Sequence, residues 1–235
     1  MAYIFKQTLL PASKYLIKAP YVMVPQYITV HNTANDASAA NEIKYMTTND
    51  NQVSYHVAVD DKEVIQAIPF NRNAWHCGDG GGSTDPNALK KGNRLSIGIE
   101  ICYSKNGGVR YTAAEENAVQ YIAKLLKEYG WGIDRVKKHQ DWNGKYCPHR
   151  ILNEGRWNSF LKRIEQAMKP VTTIKPKEEP QVPNTLTSTA KQDLKELLKE
   201  THKRGILKVD HSDRVDCMTE SDVVGLLVSV IKRTL

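Results

Sequence analysis

His31, His139 and Cys147 carry the side chains best suited to chemistry in this 235-residue chain. Neutral imidazole and thiolate are the donors that Zn²⁺ favours, and three protein ligands with a fourth position left to water is the catalytic form of a zinc site. His31 ends the short β-branched segment Tyr27-Ile28-Thr29-Val30-His31. His139 and Cys147 flank Gln140 to Tyr146, a stretch rich in turn formers. The separation from His31 to His139 is long, so spacing alone leaves open that either histidine is a satisfied core residue.

Glu100 is the fourth residue of interest. It sits inside Leu95-Ser96-Ile97-Gly98-Ile99-Glu100-Ile101-Cys102, which alternates strictly between apolar and small or polar positions. An unpaired carboxylate is costly in such a strand. Either it faces solvent, or it serves as the general base for water at a metal. Gly98 beside it on the same face leaves room above the sheet.

These residues need a frame, and the first 168 residues supply one. Strand-like and helix-like patterns alternate: helical spacing over Ser38 to Thr48, a hairpin over Val53 to Ile68 turning at Asp60-Asp61-Lys62, and the strand just described. Thr112-Ala113-Ala114-Glu115 reads as a capping box opening a helix to Tyr129, with Gly130 ending it. A second helix is expected over Glu154 to Met168. The fold class is α/β, a central mixed β-sheet flanked by helices.

Residues 169–189 change character. Prolines among Lys, Glu, Thr and Gln mark a semi-extended linker. Residues 190–235 form a small, mainly α-helical module: a helix over Ala190 to Arg204 ending at Gly205, an irregular connection, and a last helix capped by Thr219 with Asp222 in its first turn. That last helix places Val223, Val224, Leu226, Leu227, Val228, Val230 and Ile231 within nine positions. It is apolar nearly all round and predicts burial on most sides, which a module this small supplies only with a partner, either the first domain or a second copy. The Pro-rich linker favours the second copy, a homo-oligomer.

Bulk composition excludes several classes. Hydrophobic residues make up 40% and charged residues 25%, as in ordinary globular proteins, and the longest apolar run near the C-terminus is too short to cross a bilayer. The net charge of +7 is spread: Lys and Arg number 21 against 16 acidic residues up to Met168, and 12 against 10 afterwards. Nucleic-acid binding would show a concentrated stripe; diffuse positive charge suits a polyanionic surface such as a bacterial wall. Met1 to Lys6 lacks the features of a signal peptide, predicting synthesis in the cytoplasm. The four scattered cysteines then predict thiols or metal ligands rather than disulfides.

Five segments in order, Tyr27 to Thr33, Ser54-Tyr55-His56-Val57, Ala74-Trp75-His76-Cys77-Gly78, Ser96 to Glu100 and His139 to His149, resemble the type-2 N-acetylmuramoyl-L-alanine amidases. The match covers roughly residues 20–165 and looks most like the lytic amidases of bacilli and their phages. The resemblance implies His31, His139 and Cys147 as zinc ligands, Glu100 as acid/base, and Lys145 as a stabiliser of the oxyanion. It implies Tyr55 as a site residue, whereas the small-polar face of Ser54, His56 and Ala58 favours His56 for that place. Trp75 and His76 are candidate contacts to glycan or peptide, beside a glycine-rich loop over Cys77 to Asn93 that would border the groove. His149 is expected to support the site, not to bind metal. The implied substrate is peptidoglycan, cut between N-acetylmuramic acid and L-alanine, by a protein that reaches the wall as endolysins do. The C-terminal module would then attach to wall polymers.

Rival readings are a binding-only or regulatory protein of the same fold, or an unrelated zinc hydrolase. Members that only bind are expected to lack the cysteine ligand, which this chain has.

Overall fold

The computed structural model describes residues 3–79, 91–169 and 185–234. It divides into two compact units, residues 1–171 and 172–235.

In the first unit, six strands form one sheet among the described residues: β1 (Ile4–Gln7), β2 (Tyr27–Asn32), β3 (Val57–Val59), β4 (Glu63–Gln66), β5 (Ser96–Ile101) and β6 (Val136–Lys138). Their order is β1-β4-β3-β5-β2-β6, parallel throughout except for the β3–β4 hairpin. Helices α1 (Tyr15–Lys18), α2 (Ala39–Thr48), α3 (Gly92–Leu95), α4 (Gly108–Tyr129), α5 (Gln140–Asn143), α6 (His149–Asn153) and α7 (Trp157–Met168) complete the unit. The mixed sheet flanked by helices is the α/β arrangement expected.

β5 lies in the interior of the sheet, so its Ser96 and Gly98 are buried along with Ile97, Ile99 and Ile101. Alternation there separates two buried faces, not a core from solvent. The hairpin forms where expected; Asp60 Oδ1 accepts the N–H groups of Lys62 and Glu63 at 2.8 and 2.7 Å and closes the turn. Ser38 caps α2 by accepting from the Asn41 N–H at 3.3 Å.

Two local expectations need correction. The capping box at Thr112 does not open α4, which starts a turn earlier at Gly108, after Gly107 with φ of +74°. Thr112 instead donates to the Gly108 carbonyl at 3.1 Å, and Glu115 is buried between Arg156 and Arg163, tying α4 to α7. The helix expected over Glu154 to Met168 starts later, as α7 at Trp157, after Gly155 with φ of +63°; the short α6 precedes the expected range. The exposed edge strand β1 is not anticipated from the sequence. Gly130 does end α4, in the left-handed conformation.

The second unit contains α8 (Ser188–Lys203) and α9 (Glu220–Thr234). α8 begins inside the segment read as linker; residues 170–184 of that segment lie outside the described residues. Leu194, Leu198, Leu207, Val215, Met218, Val223 and Val230 form its core. Thr219 and Asp222 cap α9 reciprocally at 3.0 and 3.2 Å. α9 is not buried on most sides: Val224, Val228 and Ile231 stay 59%, 43% and 54% exposed. Among the described residues no helix is long and apolar enough to cross a membrane.

Candidate metal and catalytic site

β2 and β5 run side by side in parallel, with His31 paired in register to Glu100. Same-register residues on neighbouring strands point to the same face, so this pairing sets imidazole and carboxylate next to each other. β6 runs on the other side of β2 and delivers His139 just past its end. From there the chain makes the single turn α5, reverses at Gly144 with φ of +81°, and returns so that the Gln140 N–H donates to the Cys147 carbonyl at 3.2 Å. The turn-forming residues between His139 and Cys147 thus fold them onto one spot.

His31, His139 and Cys147 are all buried, each offering one donor atom within 4.8 Å of the others. His139 Nδ1 is 3.1 Å from His31 Nδ1, and Cys147 Sγ is 3.7 Å from that same His31 atom. Bonds of about 2.0 Å to nitrogen and 2.3 Å to sulfur at tetrahedral angles require edges of about 3.3 Å between nitrogens and about 3.5 Å between nitrogen and sulfur. The donor set therefore fits zinc in type, and the two edges at His31 fit it in spacing. Burial, then the neighbouring His76 and His139, hold the His31 pKa well below its ordinary value. Burial and then Lys145 push His139 down to about 4. Both rings are thus neutral, the form that binds metal. Burial and then the Glu100 charge push the Cys147 thiol up to about 12, while backbone N–H groups of Asn32 and His149 oppose that rise.

Glu100 Oε2 is buried with no hydrogen-bond partner among the described residues. Burial first, then the charge of Glu42, raises its carboxyl to about 8, with Lys145 acting the other way. An acid poised there suits taking and returning a proton near neutral pH. Lys145 is itself exposed, yet its charge is felt at His31, Glu100, His139 and Cys147. It stands at the mouth of the site.

The remaining candidates separate. Tyr55 is 7% exposed, and its hydroxyl donates to Glu42 at 3.3 Å on the Glu100 side. His56 has no exposed surface: its Nδ1 accepts the Gly98 N–H at 2.9 Å and its Nε2 donates to the Arg72 carbonyl at 2.9 Å. Both nitrogens are spent on backbone, so the expectation that His56 touches substrate is set aside. His76 is also buried; its Nδ1 lies 2.9 Å from His31 Nε2, placing it behind the ligand and not in front. Trp75 is part-exposed, with its indole N–H donating to the Ile17 carbonyl at 2.9 Å. His149 opens α6 next to Cys147. Of the expected bordering loop, residues 80–90 lie outside those described.

Several supporting residues escaped sequence reasoning. Asn93 Oδ1 accepts from the backbone N–H groups of His76, Cys77 and Gly78 at 2.8, 2.8 and 3.1 Å, clamping that segment. Thr29, Ser96 and Trp142 form a buried polar chain, with Trp142 Nε1 donating to Thr29 Oγ1 at 2.8 Å and Thr29 Oγ1 donating to Ser96 Oγ at 2.7 Å. Glu42 stands beside Glu100 on α2. A lone Asn or Thr carries no signal in one sequence, but the small polar positions alternating with Ile in β2 and β5 marked the face.

Comparison with known proteins agrees with this geometry. The N-acetylmuramoyl-L-alanine amidase family matches residues 21–150. The chain is 63% identical over 163 residues to N-acetylmuramoyl-L-alanine amidase CwlA of Bacillus subtilis strain 168, covering 69% of this chain and 57% of that one. It is 60% identical to N-acetylmuramoyl-L-alanine amidase XlyB of the same strain, covering 69% of this chain and 49% of that one. The matches thus span about half the length of these relatives. Among solved structures, that of PlyL superposes with a TM-score of 0.63 at 55% identity, covering 70% of this chain and 97% of PlyL.

Proposed function

The chain belongs to the N-acetylmuramoyl-L-alanine amidase family, and from that premise we propose that it hydrolyses, with zinc, the amide joining N-acetylmuramic acid to L-alanine in peptidoglycan. The observation that carries this reading is the meeting of His31 Nδ1, His139 Nδ1 and Cys147 Sγ beside Glu100, whose buried Oε2 has no hydrogen-bond partner among the described residues. Zinc held by these three would supply a Lewis acid for the scissile carbonyl and for water. Glu100 takes the proton of the attacking water and returns it to the leaving alanine nitrogen. Lys145, at the mouth, stabilises the negative charge developing on the carbonyl oxygen. Tyr55 holds Glu42 and thereby the polar wall next to Glu100. Trp75, alone of Trp75, His56 and His76, keeps an exposed edge to offer glycan or peptide.

The second unit, with its own core, is assigned to attachment on wall polymers and to pairing with a second copy. Action at the wall follows the endolysin-like pattern of the resemblance.

The decisive experiment digests purified wall with metal-loaded and chelator-treated protein. New alanine amino termini, released only by the zinc-loaded form, are expected. Binding without new termini would establish the non-catalytic alternative, and release of reducing sugar ends would show the wrong bond.

A further inference from the structure

We propose that His76 is a positioning residue that fixes the tautomer and orientation of His31, through a hydrogen-bond relay anchored on the Ser96 carbonyl. This rests on the zinc reading above and assigns His76 a task behind the metal instead of at the substrate.

The direction of the relay follows from its anchor. A carbonyl oxygen can only accept a hydrogen bond. His76 Nε2, 3.2 Å from the Ser96 carbonyl, must therefore carry the proton. In a neutral ring the other nitrogen is then bare. His76 Nδ1 accordingly accepts, and the group 2.9 Å away, His31 Nε2, must donate. That leaves the lone pair of His31 on Nδ1, the atom 3.1 Å from His139 Nδ1 and 3.7 Å from Cys147 Sγ. One carbonyl two residues from Gly98 thus dictates which nitrogen of His31 faces the metal.

The surroundings are built to hold this ring. A Cβ on Gly98 would come within 2.8 Å of His76 Cγ and Nδ1, so only glycine leaves the slot that the imidazole fills. The space that the sequence left above β5 is occupied by His76. Its backbone N–H is clamped by Asn93 Oδ1 at 2.8 Å. The rings of His31 and His76 cross at 84° with centroids 5.1 Å apart, so they meet edge-on instead of stacking. His56 packs on the far side at 5.8 Å, held by its own two backbone contacts. A ring enclosed on three sides turns little, and partners of this kind typically change metal affinity 10- to 100-fold when removed.

Two measurements on the full chain test the relay. Long-range ¹⁵N–¹H correlation spectra of the histidine rings should show His76 and His31 both protonated on Nε2, with and without zinc. Protonation of His76 on Nδ1 overturns the proposal. This needs no variant and no activity. Zinc competition against a chelating indicator should show His76→Leu binding about 10- to 100-fold more weakly. His76→Asn, whose carbonyl oxygen lies near the place of Nδ1, should recover most of that loss. Wild-type affinity in His76→Leu, or equal weakness in both variants, also overturns it. Wild-type protein that binds no zinc would instead sink the parent reading, while the ring spectra still report on the relay.

Discussion

His31 and Glu100 are register partners on β2 and β5, so a buried imidazole and a carboxylate whose Oε2 has no partner among the described residues leave the same face of the sheet one strand apart. The carboxylate belongs to the chemistry and not to the ligand set. Glu100→Gln should therefore keep its fold and about one zinc per chain while losing activity by about 10²-fold or more. Metal analysis alongside a wall-lysis assay checks this, and lysis at near-native rate would remove Glu100 from the mechanism.

The same residue gives the metal-free protein a pH signature. Burial, then Glu42, lifts the Glu100 carboxyl from 4.5 to about 8. Between those values the folded chain holds a proton that the unfolded chain releases. The contribution of Glu100 to stability is then full below pH 4.5 and is lost as pH rises to about 8. The buried histidines, held below 6.5, act in the opposite sense in both proteins, so the test is the difference. The urea midpoint of chelator-treated wild type should fall relative to that of Glu100→Gln as pH rises across that window. Equal slopes in both proteins would mean the carboxyl ionises freely in the fold.

Cys147 should prove indispensable for holding metal. Its thiol is pushed up to about 12 in the metal-free protein, chiefly by burial; a bound cation reverses that by taking the thiolate directly. Serine is a poor zinc ligand at neutral pH, so Cys147→Ser should lose most of its zinc. Full occupancy in that variant would place the metal elsewhere.

Lys145 acts from the surface on four buried groups. Removing its charge should cost turnover more than wall binding, about 2–4 kcal/mol of transition-state stabilisation. Lys145→Ala with an unchanged turnover number, measured at saturating wall concentration, would take it out of the reaction.

What the sequence disclosed and what it hid divide along physical lines. The β-branched run before His31 and the alternation around Glu100 revealed two strands, because strand periodicity is local. That these strands are parallel neighbours with His31 opposite Glu100 depends on tertiary pairing, which no periodicity encodes. Tyr55 and His56 could not be separated for a related reason. They precede β3, so alternation does not govern them, and the structure spends His56 on Gly98 and Arg72 while Tyr55 reaches Glu42. Thr112 misled because its capping-box spacing is real but lies one turn inside a helix opened by Gly107 and Gly108. His76 was noticed for its type and given the wrong neighbour, since only the empty slot at Gly98 shows where its ring goes.

The last prediction concerns α9. The unit's own core takes Val223 and Val230, leaving Val224, Val228 and Ile231 exposed at spacings of four and three residues. Those three share one helical face, and an unpartnered apolar stripe of this kind favours a mate. A second α9 laid antiparallel suits it best. Glu220 lies at one end of the stripe and Lys232 at the other, so reversal sets opposite charges against each other. Gly225, beside the stripe, has open space where a side chain would sit, which allows close approach. Paired units would present two wall-attachment surfaces and gain avidity on a repetitive polymer. Sedimentation of the full chain across the micromolar range should show a monomer–dimer equilibrium. Val224→Ser, Val228→Ser and Ile231→Ser together should shift it to monomer while the far-ultraviolet helix signal persists. A wild-type chain that stays monomeric throughout that range would refute the pairing and leave the stripe free for the wall itself.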